Sequence, residues 1–70
     1  MNVTDLCGLA PPEPLERILV WLDAAEPDEV ATFRLPHVPY PLFDHLTLRP
    51  CCWDTTEQAD GTALVRIVRQ

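Results

Sequence analysis

Proline interrupts this chain eight times in seventy residues, against only two glycines. Proline has no backbone N–H to donate and fixes φ near about −65°, so it is excluded from helix interiors and central strands but tolerated in a helix's first turn. Pro11, Pro12 and Pro14, then Pro27, then Pro36, Pro39 and Pro41, and finally Pro50 therefore punctuate the sequence into short segments. No apolar run approaches the roughly 18 residues needed to span a bilayer. The prolines also narrow the unfolded ensemble. That offsets part of the thin margin of so small a domain, which buries only about 60% of its unfolded-chain surface.

The segments between these breaks alternate in character. Residues 2–6 alternate polar and apolar positions and predict a first strand, ending near Cys7. Leu15, Ile18, Leu19 and Leu22 recur at helical spacing and predict one apolar stripe, extended by Ala25 and stopped by Pro27. The prolines at its start belong to the first turn, where Glu13 and Glu16 also meet the positive end of the helix dipole. Residues 29–35 predict a second strand with Val30, Phe33 and Leu35 apolar, although the alternation is too imperfect to assign its faces. A short second helix is expected from Pro41 to Leu48, with Leu42, Phe43, Leu46 and also Leu48 turned inward, and Pro50 ends it. Residues 51–57 and 62–69 predict a hairpin around Asp60-Gly61, a strong turn signal between β-prone runs. Ala63, Val65 and Ile67 share one face of its second strand.

The order β-α-β-α-β-β implies an α+β fold in one domain spanning 1–70. Two helices on one face of a four-stranded mixed sheet make a two-layer sandwich that buries every apolar stripe.

The formal net charge is −6, with five arginines and no lysine. Such a surface repels phosphate backbones and anionic membranes, so neither a nucleic-acid nor a membrane partner is expected. It can dock on a basic patch of a protein partner. The N-terminal residues carry no basic and apolar leader pattern, and the three cysteines are odd in number. The expected setting is the cytoplasm, with reduced thiols.

The element order, together with Leu6-Cys7-Gly8-Leu9-Ala10-Pro11-Pro12-Glu13-Pro14, resembles the TusA/SirA-like sulfur-carrier superfamily. Members open with a strand, a Gly-Leu pair and a Cys-Pro-x-Pro motif at the first helix. Here Gly8-Leu9 holds the same place, and Pro12-Glu13-Pro14 matches the Pro-x-Pro. Glu26-Pro27-Asp28-Glu29 is similar to the Pro-Gly-Glu turn into the second strand, with Asp28 at the glycine. In the carriers the motif cysteine bears a persulfide at the helix start; position 11 here is proline, which has no nucleophile. The chain resembles a Pro-Pro-x-Pro branch that is a domain of unknown function, found alone or joined to small domains such as hemerythrin-like ones. The resemblance thus implies the scaffold without the sulfur chemistry.

Three functional readings follow. The first is a non-enzymatic accessory or protein-binding module, with Leu9, Pro11, Pro12, Glu13 and Trp21 as its partner surface and no cofactor. The second is a thiol-based sulfur-transfer or redox protein in which Cys7 approaches the first helix's N-terminus and has a lowered pKa. The third is a small metal-binding protein using His37, His45 and Cys51, residue types suited to soft or borderline metals. The adjacent Cys51-Cys52 pair does not suit a shared metal, because neighbours in a strand point to opposite faces. Trp53, in the third strand, is expected to flank the core.

Overall fold

The computed structural model describes residues 2–70. Its elements are β1 (Val3–Asp5), α1 (Glu13–Ala24), β2 (Val30–Leu35), α2 (Tyr40–Leu46), β3 (Cys51–Glu57) and β4 (Ala63–Arg69). The strands form one sheet in the order β1-β2-β4-β3. β1 runs parallel to β2, whereas β2 with β4 and β3 with β4 pair antiparallel. A parallel pair requires a crossover, which α1 supplies.

Register settles the faces that β2's own pattern leaves open. Phe33 lies opposite Val65 and Leu35 opposite Ala63. Ala63, Val65 and Ile67 are fully buried, so Phe33 and Leu35 join them beneath the helices. Val30 pairs with Val68 on the other face and is half exposed. Ile18 and Leu22 of α1 and Leu42 and Leu46 of α2 complete the core, with Leu6 closing one end.

Helix α1 begins at Glu13 behind Pro12, which makes no side-chain capping bond, and Pro14 sits in its first turn. Asp28 then takes φ of 73° in the turn toward β2, the left-handed region that aspartate enters more readily than most residues. The Asp28 N–H donates to the Arg69 carbonyl at 2.6 Å, tying this turn to the end of β4. In the hairpin loop Gly61 adopts φ of 88°, which a β-carbon would strain.

The expected inward Leu48 is not observed. α2 ends at Leu46, the chain turns through Thr47 and Arg49, and Leu48 is 82% exposed. The helical period that buries Leu42 and Leu46 no longer applies two residues past the last turn. Cys7, where the strand pattern breaks, lies in the turn after β1.

At seven residues α2 is too short to persist alone. Its packing is reinforced by Arg49, whose Nε donates to Asp23 Oδ1 of α1 at 2.9 Å and whose Nη1 donates to the His45 carbonyl at 3.0 Å. The long-range link thus joins the end of α1 to the end of α2.

Candidate functional site

The parallel β1–β2 pairing brings the C-terminal end of β2 beside the loop that enters α1. Two proline groups therefore meet: Pro11, Pro12 and Pro14 from the start of α1, and Pro36, Pro39 and Pro41 from the β2–α2 connection. Together with Leu9, Leu15, Ile18, Leu35 and Leu42 they line a groove of about 250 Å³. Ile18, Leu35 and Leu42 are buried and form its floor, while Pro11, Pro12, Pro36 and Pro41 are exposed along its rim. The Pro11–Pro12 peptide bond is cis.

Six of the chain's eight prolines thus line one concavity. The one side chain along it with acid–base capacity is His37, which is exposed and lies with Nδ1 3.3 Å from the Val38 carbonyl. Proline rings have almost no rotamer freedom to lose, so such a groove accepts apolar groups with little ordering cost. Apart from that imidazole, no side chain lining it is a nucleophile.

The partner-surface residues expected from sequence divide in two. Leu9, Pro11 and Pro12 line the groove. Glu13 does not, and its carboxylate pairs with Arg17 one helical turn on, at 3.5 Å. Trp21 is placed elsewhere on α1, with its ring edge against Phe33 at 5.7 Å between centroids. The sequence reading missed Pro36, Pro39 and Pro41 as members of this site. Their signal was present as a second proline cluster, read there as punctuation.

Cys7 does not acquire the lowered pKa expected from a helix N-terminus. Partial burial pushes its thiol up, and the neighbouring Asp5 carboxylate adds to that, outweighing the opposing Arg34 guanidinium. Arg34 Nη1 approaches Cys7 Sγ at 3.6 Å and donates to Asp5 Oδ2 at 3.1 Å, while its Nη2 donates to Asp60 Oδ2 at 3.1 Å. This cluster joins the end of β1, β2 and the β3–β4 turn on the sheet's far side from the helices.

The same carboxylates imply an acid sensitivity. The Cys7 N–H chiefly holds Asp5 below the usual carboxylate range, and the Thr62 hydroxyl chiefly holds Asp60 there, with Arg34 contributing to both. Carboxyls lowered in the folded state contribute stability fully present above their unfolded value of about 3.9, and lose it as pH falls through the folded value. The urea midpoint is therefore expected to drop between pH 6 and pH 3. The drop should be smaller, but not abolished, in Arg34→Gln. An identical drop in that variant would remove Arg34 from the cause.

The thiols are also expected to separate by reactivity. Cys52 is exposed on the open sheet face and accepts from Gln70 Nε2 at 2.7 Å, whereas Cys7 and Cys51 are half-buried. Partial burial pushes the Cys51 thiol up as well. Peptide mapping after brief alkylation should find Cys52 labelled first; preferential labelling of Cys7 would contradict this ordering.

Cys51 turns toward the core, its Sγ 3.5 Å from the Leu46 carbonyl, and Cys52 turns away, as alternation demands. His37, His45 and Cys51 do not converge, and among the described residues no three His, Cys, Asp or Glu side chains form a group able to hold a metal ion. No helix among those residues is long and apolar enough to cross a membrane.

A family model described as an uncharacterized conserved protein (DUF2249) matches residues 3–69. No curated protein and no solved structure matches the chain.

Proposed function

We propose that this chain, which belongs to the DUF2249 family, is a non-catalytic protein-binding module whose proline-lined groove receives an apolar side chain from a basic segment of a partner. The observation that carries the reading is the convergence of six prolines, from two separate stretches of sequence, on one apolar groove. At about 250 Å³ it is smaller than the roughly 300 to 1,000 Å³ of most small-molecule sites. It also lacks the several converging polar groups that fix a cofactor's orientation. A single leucine- or phenylalanine-sized side chain is a better match.

The basic character of the partner is inferred from charge. Eleven carboxylates face five arginines, and three of those arginines are already held in ion pairs with Glu13, with Asp5 and Asp60, and with Asp23. Potential complementarity of this kind speeds encounter and selects orientation. The resemblance of residues 6–14 to the sulfur-carrier motif supports the same reading, since the helix-start frame is kept with proline in place of the cysteine. The upward-shifted Cys7 thiol gives a sulfur-transfer alternative no support.

The test uses capped seven-residue peptides with one central Leu or Phe flanked by Arg, titrated into the isotopically labelled protein. Resonances of Leu9, Ile18, Leu35 and Leu42 should shift saturably, and replacing the central residue by Ala should abolish the shifts. Shifts elsewhere on the surface, or none with either peptide, would defeat the reading.

A further inference from the structure

The two sides of α2 differ in chemistry. Pro39, Pro41 and Leu42 line the groove. Tyr40, Phe43 and Asp44, related by three and four residues, share a different side of the helix. Phe43 stacks on Trp53 of β3, with centroids 6.2 Å apart and rings inclined by 15°. Both rings also pack against the core, so their positions are fixed. Tyr40 stands nearly perpendicular to Phe43 at 6.0 Å and 86° and is 71% exposed. Its hydroxyl makes no hydrogen bond among the described residues.

The exposed Tyr40 ring is open to a partner that covers it. Here the surroundings specify the cover. The Asp44 carboxylate forms no ion pair among the described residues. None of the chain's arginines is available to it: Arg17, Arg34 and Arg49 are paired elsewhere, Arg69 donates to the Pro50 and Gln70 carbonyls, and Arg66 lies on the opposite sheet face, in register with Asp54. Aromatic faces beside an unpaired carboxylate attract a cation, and a planar guanidinium can stack on a ring while donating to the carboxylate. A quaternary ammonium could not use Asp44 as a hydrogen-bond acceptor.

We propose that Tyr40, Phe43, Asp44 and Trp53 form a seat for an arginine of the partner segment, next to the groove that takes its apolar anchor. This rests on the protein-binding reading above. Tyr40 lies between two groove-lining prolines, so groove and seat are separated by about the width of a helix, roughly 10 Å. A polyproline II segment, with about three residues per turn and a rise of about 3.1 Å per residue, crosses that distance in about three residues and returns side chains three apart to the same side. The preferred segment therefore carries its arginine about three positions from its apolar anchor.

Two peptides decide the matter: one with Leu and, three positions on, Arg, and one with citrulline at that position, which keeps the shape and removes the charge. The Arg peptide should bind about five- to tenfold tighter at low salt, shift the Tyr40, Asp44 and Trp53 resonances, and lose most of its advantage as salt is raised. In Asp44→Asn, which keeps the side chain's size at an exposed position, the preference for the Arg peptide should shrink to what the aromatic rings alone supply. Equal affinities for the unmodified protein, or an undiminished preference in Asp44→Asn, would overturn the arginine seat. That outcome leaves the groove reading standing if Leu-to-Ala replacement in the peptide still abolishes binding. Loss of the Leu effect with the Arg effect retained would instead defeat the groove.

Discussion

Leu46→Ala is expected to leave this domain without a stable fold at room temperature. Leu46 is completely buried, at the end of a seven-residue helix that cannot stand without its tertiary contacts. Truncating a buried leucine to alanine removes transfer free energy and leaves a cavity, together about 2 to 5 kcal/mol. A core in a chain of this length rarely supplies more than about 3 to 5 kcal/mol. The two quantities are the same size, so the loss should abolish the cooperative urea transition. Leu46→Met, close in volume, should cost less than about 1.5 kcal/mol and keep the transition. Leu48→Ala supplies the contrast two residues away, where 82% exposure predicts a change within about 0.5 kcal/mol. A near-native transition in Leu46→Ala would show that the core has stability this account does not contain.

The second large effect concerns binding. The double variant Pro36→Gln and Pro41→Gln replaces two rigid rim residues by flexible polar ones without altering charge. Each glutamine must be immobilised when the groove is filled, at about 0.5 to 1.5 kcal/mol per side chain. For the pair this is roughly 2 kcal/mol, close to a 30-fold loss of affinity for the Leu-centred peptide. Both positions are exposed, and Pro41 lies in the first turn of α2, where glutamine is acceptable. Folding should survive, with some loss from the freer unfolded chain, and circular dichroism would verify it. Unchanged peptide affinity in a folded double variant would show that the proline rim is scaffold and nothing more.

Local pattern made much of the fold readable. The stripe of Leu15, Ile18, Leu19 and Leu22 marks α1, and Ile18 and Leu22 are its two buried residues. Alternation in β4 groups Ala63, Val65 and Ile67 on one face, which the structure turns inward, and Asp60-Gly61 correctly marks the turn. Such signals depend on residues within a few positions of one another. The faces of β2 were not readable, because Val30, Phe33 and Leu35 do not alternate and only pairing with β4 separates them. Leu48 misleads because apolar character continues after the helical geometry has stopped. The reactivity of Cys7 could not be read because partial burial, which only the folded packing sets, raises its thiol most, with Asp5 adding to the effect.

By itself, the sequence determined the element order, the apolar stripe of α1, which residues of β4 share a face, and the impossibility of persulfide chemistry at Pro11. Each follows from the identity of a residue or from spacing along a single element. Only the tertiary structure decided that the prolines form a site. Pro11, Pro12 and Pro14 meet Pro36, Pro39 and Pro41 because α1 crosses between parallel β1 and β2 and returns the end of β2 to its own starting point. That meeting depends on strand order and crossover geometry, and no local spacing encodes either. It turns eight interruptions of the chain into two that still act only as breaks, Pro27 and Pro50, and six that build a surface.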